Sequence, residues 1–181
     1  MGQIEASQIV RADKKELFFY GDWCYNVPEW LPPIKKTWIE SLPRQPSNDG
    51  LGKITCYQGT LMGMQMEWKA KCVEWTECES WDMRAITGFP AKMNMHLAFR
   101  FGSNGPGETR VTAVMGFRAP YPLIGPIIDR FLLRKEAKRM VKLGLEGLNA
   151  VAEQHRIHPI DLQFEKRKND FPGYVVSQIG S

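Results

Sequence analysis

The strongest constraint on this chain is an amphipathic helical stripe near its C-terminal end. From Ala137 onward, Ala137, Met140, Val141, Gly144, Leu145, Leu148, Val151 and Ala152 recur at three- and four-residue spacing. Lys135, Lys138, Arg139, Lys142, Glu146, Asn149 and Glu153 fall on the other side. Joined to the apolar run before it, this spacing predicts one helix from about Pro126 to Glu153. At 1.5 Å per residue it would be roughly 40 Å long, and only a sizeable sheet can cover one face of it.

The preceding residues carry the pattern of such a sheet. Met64, Met66, Trp68, Ala70 and Cys72 alternate with Gln65, Glu67, Lys69 and Lys71, as a strand does when it buries one face. Residues 77–87 repeat the period with Trp81, Met83 and Ala85 together. Residues 92–101 continue it with Met93, Met95, Leu97, Phe99 and Phe101, and 109–119 with Val111, Ala113, Met115 and Phe117. Weaker extended segments lie at 3–10, 34–41 and 52–62. After the first of them, Asp13 with Glu16 three residues later reads as the start of a helix. An aromatic segment broken by Pro28, Pro32 and Pro33 then gives a second short helical piece. The order is therefore strand, two short helices, about six strands in meander and one long helix, a single domain over residues 1–153. Residues 154–181 are polar, contain Pro159 and Pro172, hold neither period, and read as a tail that packs locally or frays.

Among the 181 residues the net charge is only +4, with the basic groups scattered, which argues against a nucleic-acid partner. No stretch approaches the roughly 20 apolar residues of a membrane span, and the N-terminus lacks a signal-peptide pattern, so a soluble, cytoplasmic protein is expected. Cys24, Cys56, Cys72 and Cys78 form no CxxC pair and have no neighbouring His, so buried thiols in a reducing compartment are expected instead of a metal site.

The opening IEASQIVRADKKELFFYGDW, the segment VPEWLPPIKK, the alternating strands from 64 to 117 and the stretch GFRAPYPLIGPII carry a resemblance that covers roughly residues 3–153. They resemble the START/Bet v 1-like superfamily, especially its polyketide cyclase/dehydrase and coenzyme Q-binding branch. The resemblance implies an α+β helix-grip fold: a curved antiparallel sheet of about six or seven strands wrapped around the long C-terminal helix, with two short helices after the first strand. It also implies an apolar cavity between sheet and helix that binds or transports a lipid, quinone or polyketide-like molecule, with no cofactor. The alternative is a polyketide cyclase, aromatase or dehydrase acting on a substrate in the same cavity.

The resemblance turns the inward set of this pattern into candidate ligand contacts. Methionine and aromatic side chains give an adaptable apolar surface, which on the sheet means Met66, Trp68, Trp81, Met83, Met95, Leu97, Phe99, Met115 and Phe117. Tyr20, Trp23, Trp30, Tyr57 and Tyr121 combine apolar area with a hydrogen-bonding tip, as Asp22 and Arg118 supply polarity. Ile128, Met140 and Gly144 represent the helix. All of these residue types serve equally as ordinary core. Catalysis requires an inward acid/base pair, yet alternation turns His96, Asp82 and Arg84 to the outer face, and His155 and His158 fall in the tail. Finally, Ile124, Ile127, Ile128 and Phe131 stand beside Arg130, Arg134, Lys135 and Lys138, a combination that suits peripheral contact with an anionic membrane surface.

Overall fold

Strand β1 (Gly2–Val10) leads into Asp13, whose carboxylate caps α1 (Lys14–Asp22) by accepting from the backbone N–H groups of Lys15 and Glu16 at 2.8 and 3.2 Å. A single 3₁₀ turn (Cys24–Asn26) and the short α2 (Val27–Trp30) follow, with Pro28 in the first turn of α2, where a missing N–H costs nothing. The chain then builds β2 (Ile34–Ser41), β3 (Ile54–Leu61), β4 (Met64–Thr76), β5 (Ser80–Ala85), β6 (His96–Gly105) and β7 (Glu108–Phe117). A short α3 (Gly88–Lys92) interrupts between β5 and β6, and α4 (Arg134–Glu153) and α5 (Ile160–Asp170) complete the structure. The computed structural model describes residues 2–42, 50–118, 132–154 and 156–170.

All pairings in the seven-stranded sheet are antiparallel, in the order β1-β7-β6-β5-β4-β3-β2. β2 to β7 form the expected meander, and β1 returns to pair with β7. Bulges in β2, β4 and β6 bend the sheet. Helix α4 packs across β1 and β7 with the eight residues of its predicted stripe buried, and α2 packs against it. The fold is thus α+β with a helix laid into a curved antiparallel sheet.

Gly147 explains how closely α2 and α4 approach. A Cβ there would lie 1.7 Å from the backbone carbonyl oxygen of Trp30, so only glycine permits the contact.

The described part of α4, Arg134–Glu153, is 20 residues and about 30 Å long; Pro126 to Phe131, where the helix was expected to begin, lie outside the described residues. One expectation needs correction: the strand expected at 92–101 begins only at His96. Gly88 (φ 74°) turns the chain into α3 and Asn94 (φ 47°) turns it out again, and Met93 and Met95 donate their backbone N–H groups back to the Pro90 carbonyl. Apolar alternation simply continues across this helix. The polar segment after Glu153 contains α5, which packs on α1. Arg167 anchors it: the guanidinium is 1% exposed, sits 4.9 to 5.5 Å from the ring centroids of Trp23, Phe19 and Phe164, and donates to the Phe19 carbonyl.

Candidate functional site

Strand alternation turns one residue parity of each strand toward the inside of the curve. On β3 and the residue before it the inward set is Lys53, Thr55, Tyr57 and Leu61; on β4 it is Trp68 and Ala70; on β5, Trp81, Met83 and Ala85. Leu97 and Met115 add the inner face of β6 and β7, while Ile34 closes the edge. The opposite wall comes from the end of α1 and from α2, through Gly21, Asp22, Val27, Trp30 and Leu31. Together they line a partly open cavity of about 80 Å³. Its surface is predominantly apolar.

One end of this cavity is polar. Lys53 Nζ donates to Asp22 Oδ1 at 2.9 Å and to the Asp22 carbonyl at 3.1 Å, and the two side chains are only 3% and 6% exposed. Burial alone would lower the Lys53 pKa. The charge of Asp22 and the hydrogen bond to it outweigh burial and leave the pKa raised, so Lys53 is a cation at neutral pH. Burial also raises the Tyr57 pKa, and that phenol stays neutral. Tyr57 stacks on Trp68, with ring centroids 5.4 Å apart and planes 10° from parallel. Trp81 and Trp30 both lean on Phe99, at 4.6 and 5.5 Å, which fixes the two indoles on the cavity wall.

A second pair lies on the outer face. His96 Nδ1 is 3.1 Å from Asp82 Oδ2, and its ring covers Gly116, where a Cβ would come within 1.9 Å of Nε2. Alternation placed both side chains on the face away from Met115, and they are there, although only 14% and 13% exposed. The residue His96 itself borders the cavity. Among the described residues no cluster of His, Cys, Asp and Glu could hold a metal ion, and no helix is long and apolar enough to cross a membrane.

The arrangement of sheet, short helices and long helix is that of proteins already known. A START superfamily protein from Mycobacterium smegmatis superposes with a TM-score of 0.69 at 17% identity, over 84% of this chain and 98% of that one. An aromatase/cyclase from Streptomyces matches at 0.68 and 14% identity, over 96% of this chain and 99% of its own. A norcoclaurine synthase from Thalictrum matches at 0.64 and 13%, over 86% and 96%. This chain has the START/Bet v 1-like fold. Neither a family model nor a curated protein sequence matches it.

Within the START/Bet v 1-like fold the expected contact residues separate into groups. Trp30, Tyr57, Trp68, Trp81, Met83, Met95, Leu97 and Met115 line the cavity, as does Asp22. Tyr20 and Trp23 do not: they border a different pocket between α1, α2 and α5, where the Tyr20 hydroxyl donates to Glu29 at 2.9 Å. Phe99 and Phe117 are buried behind the wall, because Phe99 is held by two tryptophans and Phe117 lies against Gly2. Met66 packs beside the core without reaching the cavity. Met140 and Gly144 also stand back from it. Gly144 faces the Phe99 and Trp30 rings, so among the described residues α2, and not α4, forms the roof. Tyr121 and Ile128, and with them the apolar run from Ile124 to Phe131, lie outside the described residues.

Lys53 was missed, and so was the inward charged pair it makes with Asp22. Its parity offered a signal, since Lys53 is four residues before Tyr57 on the same face of an extended segment. A lysine beside a glycine-rich loop otherwise reads as a solvated end.

Proposed function

We propose that this protein binds an apolar small molecule in the cavity between the sheet and α2. The observation that carries the reading is the cavity itself, an apolar space walled by Trp30, Trp68, Trp81, Met83, Met95 and Met115 and closed at one end by the Lys53–Asp22 pair. Flexible thioethers accommodate differently shaped ligands, and the aromatic rings supply flat contact area. Solved structures of the same fold include a START superfamily protein and an aromatase/cyclase, which supports a ligand of lipid, quinone or polyketide type. A reducing, cytoplasmic setting belongs to the same reading: Cys56 and Cys72 are buried thiols, and burial pushes Cys72 up to about 12, where it is inert at neutral pH.

Organic extraction of the purified protein, paired with native mass spectrometry, tests this. The expected result is a co-purifying apolar molecule, or uptake of one added in excess. Failure to retain or take up any apolar compound would overturn the reading.

A further inference from the structure

The residues that line the cavity carry hydrogen-bond donors without partners among the described residues. An ammonium has three N–H groups, and both hydrogen bonds of Lys53 Nζ go to Asp22, leaving the third N–H without a partner among the described residues. Trp30 and Trp81 line the same cavity, are 1% and 5% exposed, and have indole N–H groups with no partner among the described residues. An indole N–H and an ammonium can only donate. Buried donors without acceptors are costly, and a wall that carries several of them is complementary to a ligand that brings acceptors.

Charge narrows the ligand further. Apart from His96, whose ring is engaged with Asp82 on the outer face, the charged residues on the wall are Lys53 and Asp22, which cancel. A carboxylate or phosphate ligand would therefore leave a net negative charge in an apolar, water-poor space, whereas a carbonyl oxygen accepts the same hydrogen bonds at no net charge. We propose that the ligand is a neutral, carbonyl-bearing apolar molecule whose oxygen accepts hydrogen bonds from Lys53 and from the Trp30 and Trp81 indoles. The inference rests on the apolar-ligand reading above and specifies its polar end.

Three planar probes of the same skeleton separate the possibilities: 9-fluorenone, fluorene and fluorene-9-carboxylate, compared by equilibrium dialysis with the full chain. The expected order places 9-fluorenone roughly tenfold tighter than fluorene, the size of effect a charge-assisted hydrogen bond gives, with the carboxylate weakest. Trp81→Phe, its fold checked by circular dichroism, should weaken 9-fluorenone more than fluorene and so narrow that preference severalfold. The double variant Lys53→Met/Asp22→Leu, checked by circular dichroism, should narrow it further. Equal affinity for fluorene and 9-fluorenone overturns the inference while leaving the apolar-ligand reading intact. Tighter binding of the carboxylate overturns the requirement for neutrality. Binding of none of the three defeats the apolar-ligand reading and this inference with it.

Discussion

Among the described residues two cations are buried, and they are accommodated in different ways. Lys53 is held by a carboxylate at the end of the cavity, and Arg167 by three aromatic rings and a backbone carbonyl under α5. The difference follows from the groups themselves. An ammonium is a compact, strongly hydrated point charge that needs a counter-ion when dried, whereas a guanidinium is flat, weakly hydrated and able to lie on ring faces. One arrangement makes a polar spot in a cavity wall; the other fastens a helix that has almost no apolar stripe of its own.

The largest effect expected from breaking this contrast is at Lys53. Lys53→Met leaves Asp22 charged and buried, so a loss of about 3–5 kcal/mol in denaturant unfolding is expected, and the double variant with Asp22→Leu should regain most of it. If the single and double variants are equally unstable, the pair is not what holds that wall. Arg167→Ala should cost less, about 2 kcal/mol, and locally. Hydrogen exchange should accelerate across 160–170 while the amides of β6 and β7 stay protected, and Arg167→Lys should behave like the alanine variant because a point charge does not stack. Uniform loss of protection would instead make α5 part of the cooperative core.

The contrast also sharpens with pH. The folded-state pKa of Lys53 is raised, so its contribution is complete below the ordinary lysine value of about 10.4 and is lost as pH rises through the higher folded value. Stability curves of the native chain and of the Lys53→Met/Asp22→Leu variant should therefore converge on the alkaline side. Arg167→Ala leaves the Lys53–Asp22 pair in place and should keep the native alkaline fall. The smallest effect belongs to a surface cation: Lys142, 3.6 Å from Glu146 with both side chains largely exposed, should change unfolding by less than about 0.5 kcal/mol on replacement by alanine.

How much of this was legible in the sequence depended on what held each element in place. The stripe from Ala137 to Ala152 is periodic because it meets a smooth sheet, and the residues it predicts to be buried are the buried ones. Helix α5 carries no such period. Its anchors are Arg167 and Gln163, whose amide donates to the Glu16 and His158 carbonyls, and polar residues of that kind read as solvated surface. The sheet-borne cavity residues followed from alternation alone, whereas Phe99 and Phe117 share that parity yet sit behind the wall, a matter of depth that parity does not encode. Met93 and Met95 show the reverse failure, where the turn after α3 carries an alternating pattern by coincidence.

The fit of Gly147 under the Trp30 carbonyl has a mechanical consequence. Threading α4 forward or back by one residue, an advance of about 1.5 Å with a turn of about 100°, would bring Glu146 or Leu148 to the position where even a methyl group has only 1.7 Å of room. The notch acts as a detent that forbids sliding. Since Trp30 is itself part of the cavity wall, the notch at Gly147 fixes that side of the wall against α4. The β3–β4 turn is tethered to the start of the same helix by the hydrogen bond from the Met62 N–H to Glu136 at 3.0 Å, so α4 is located by a polar tie near one end and a steric notch near the other.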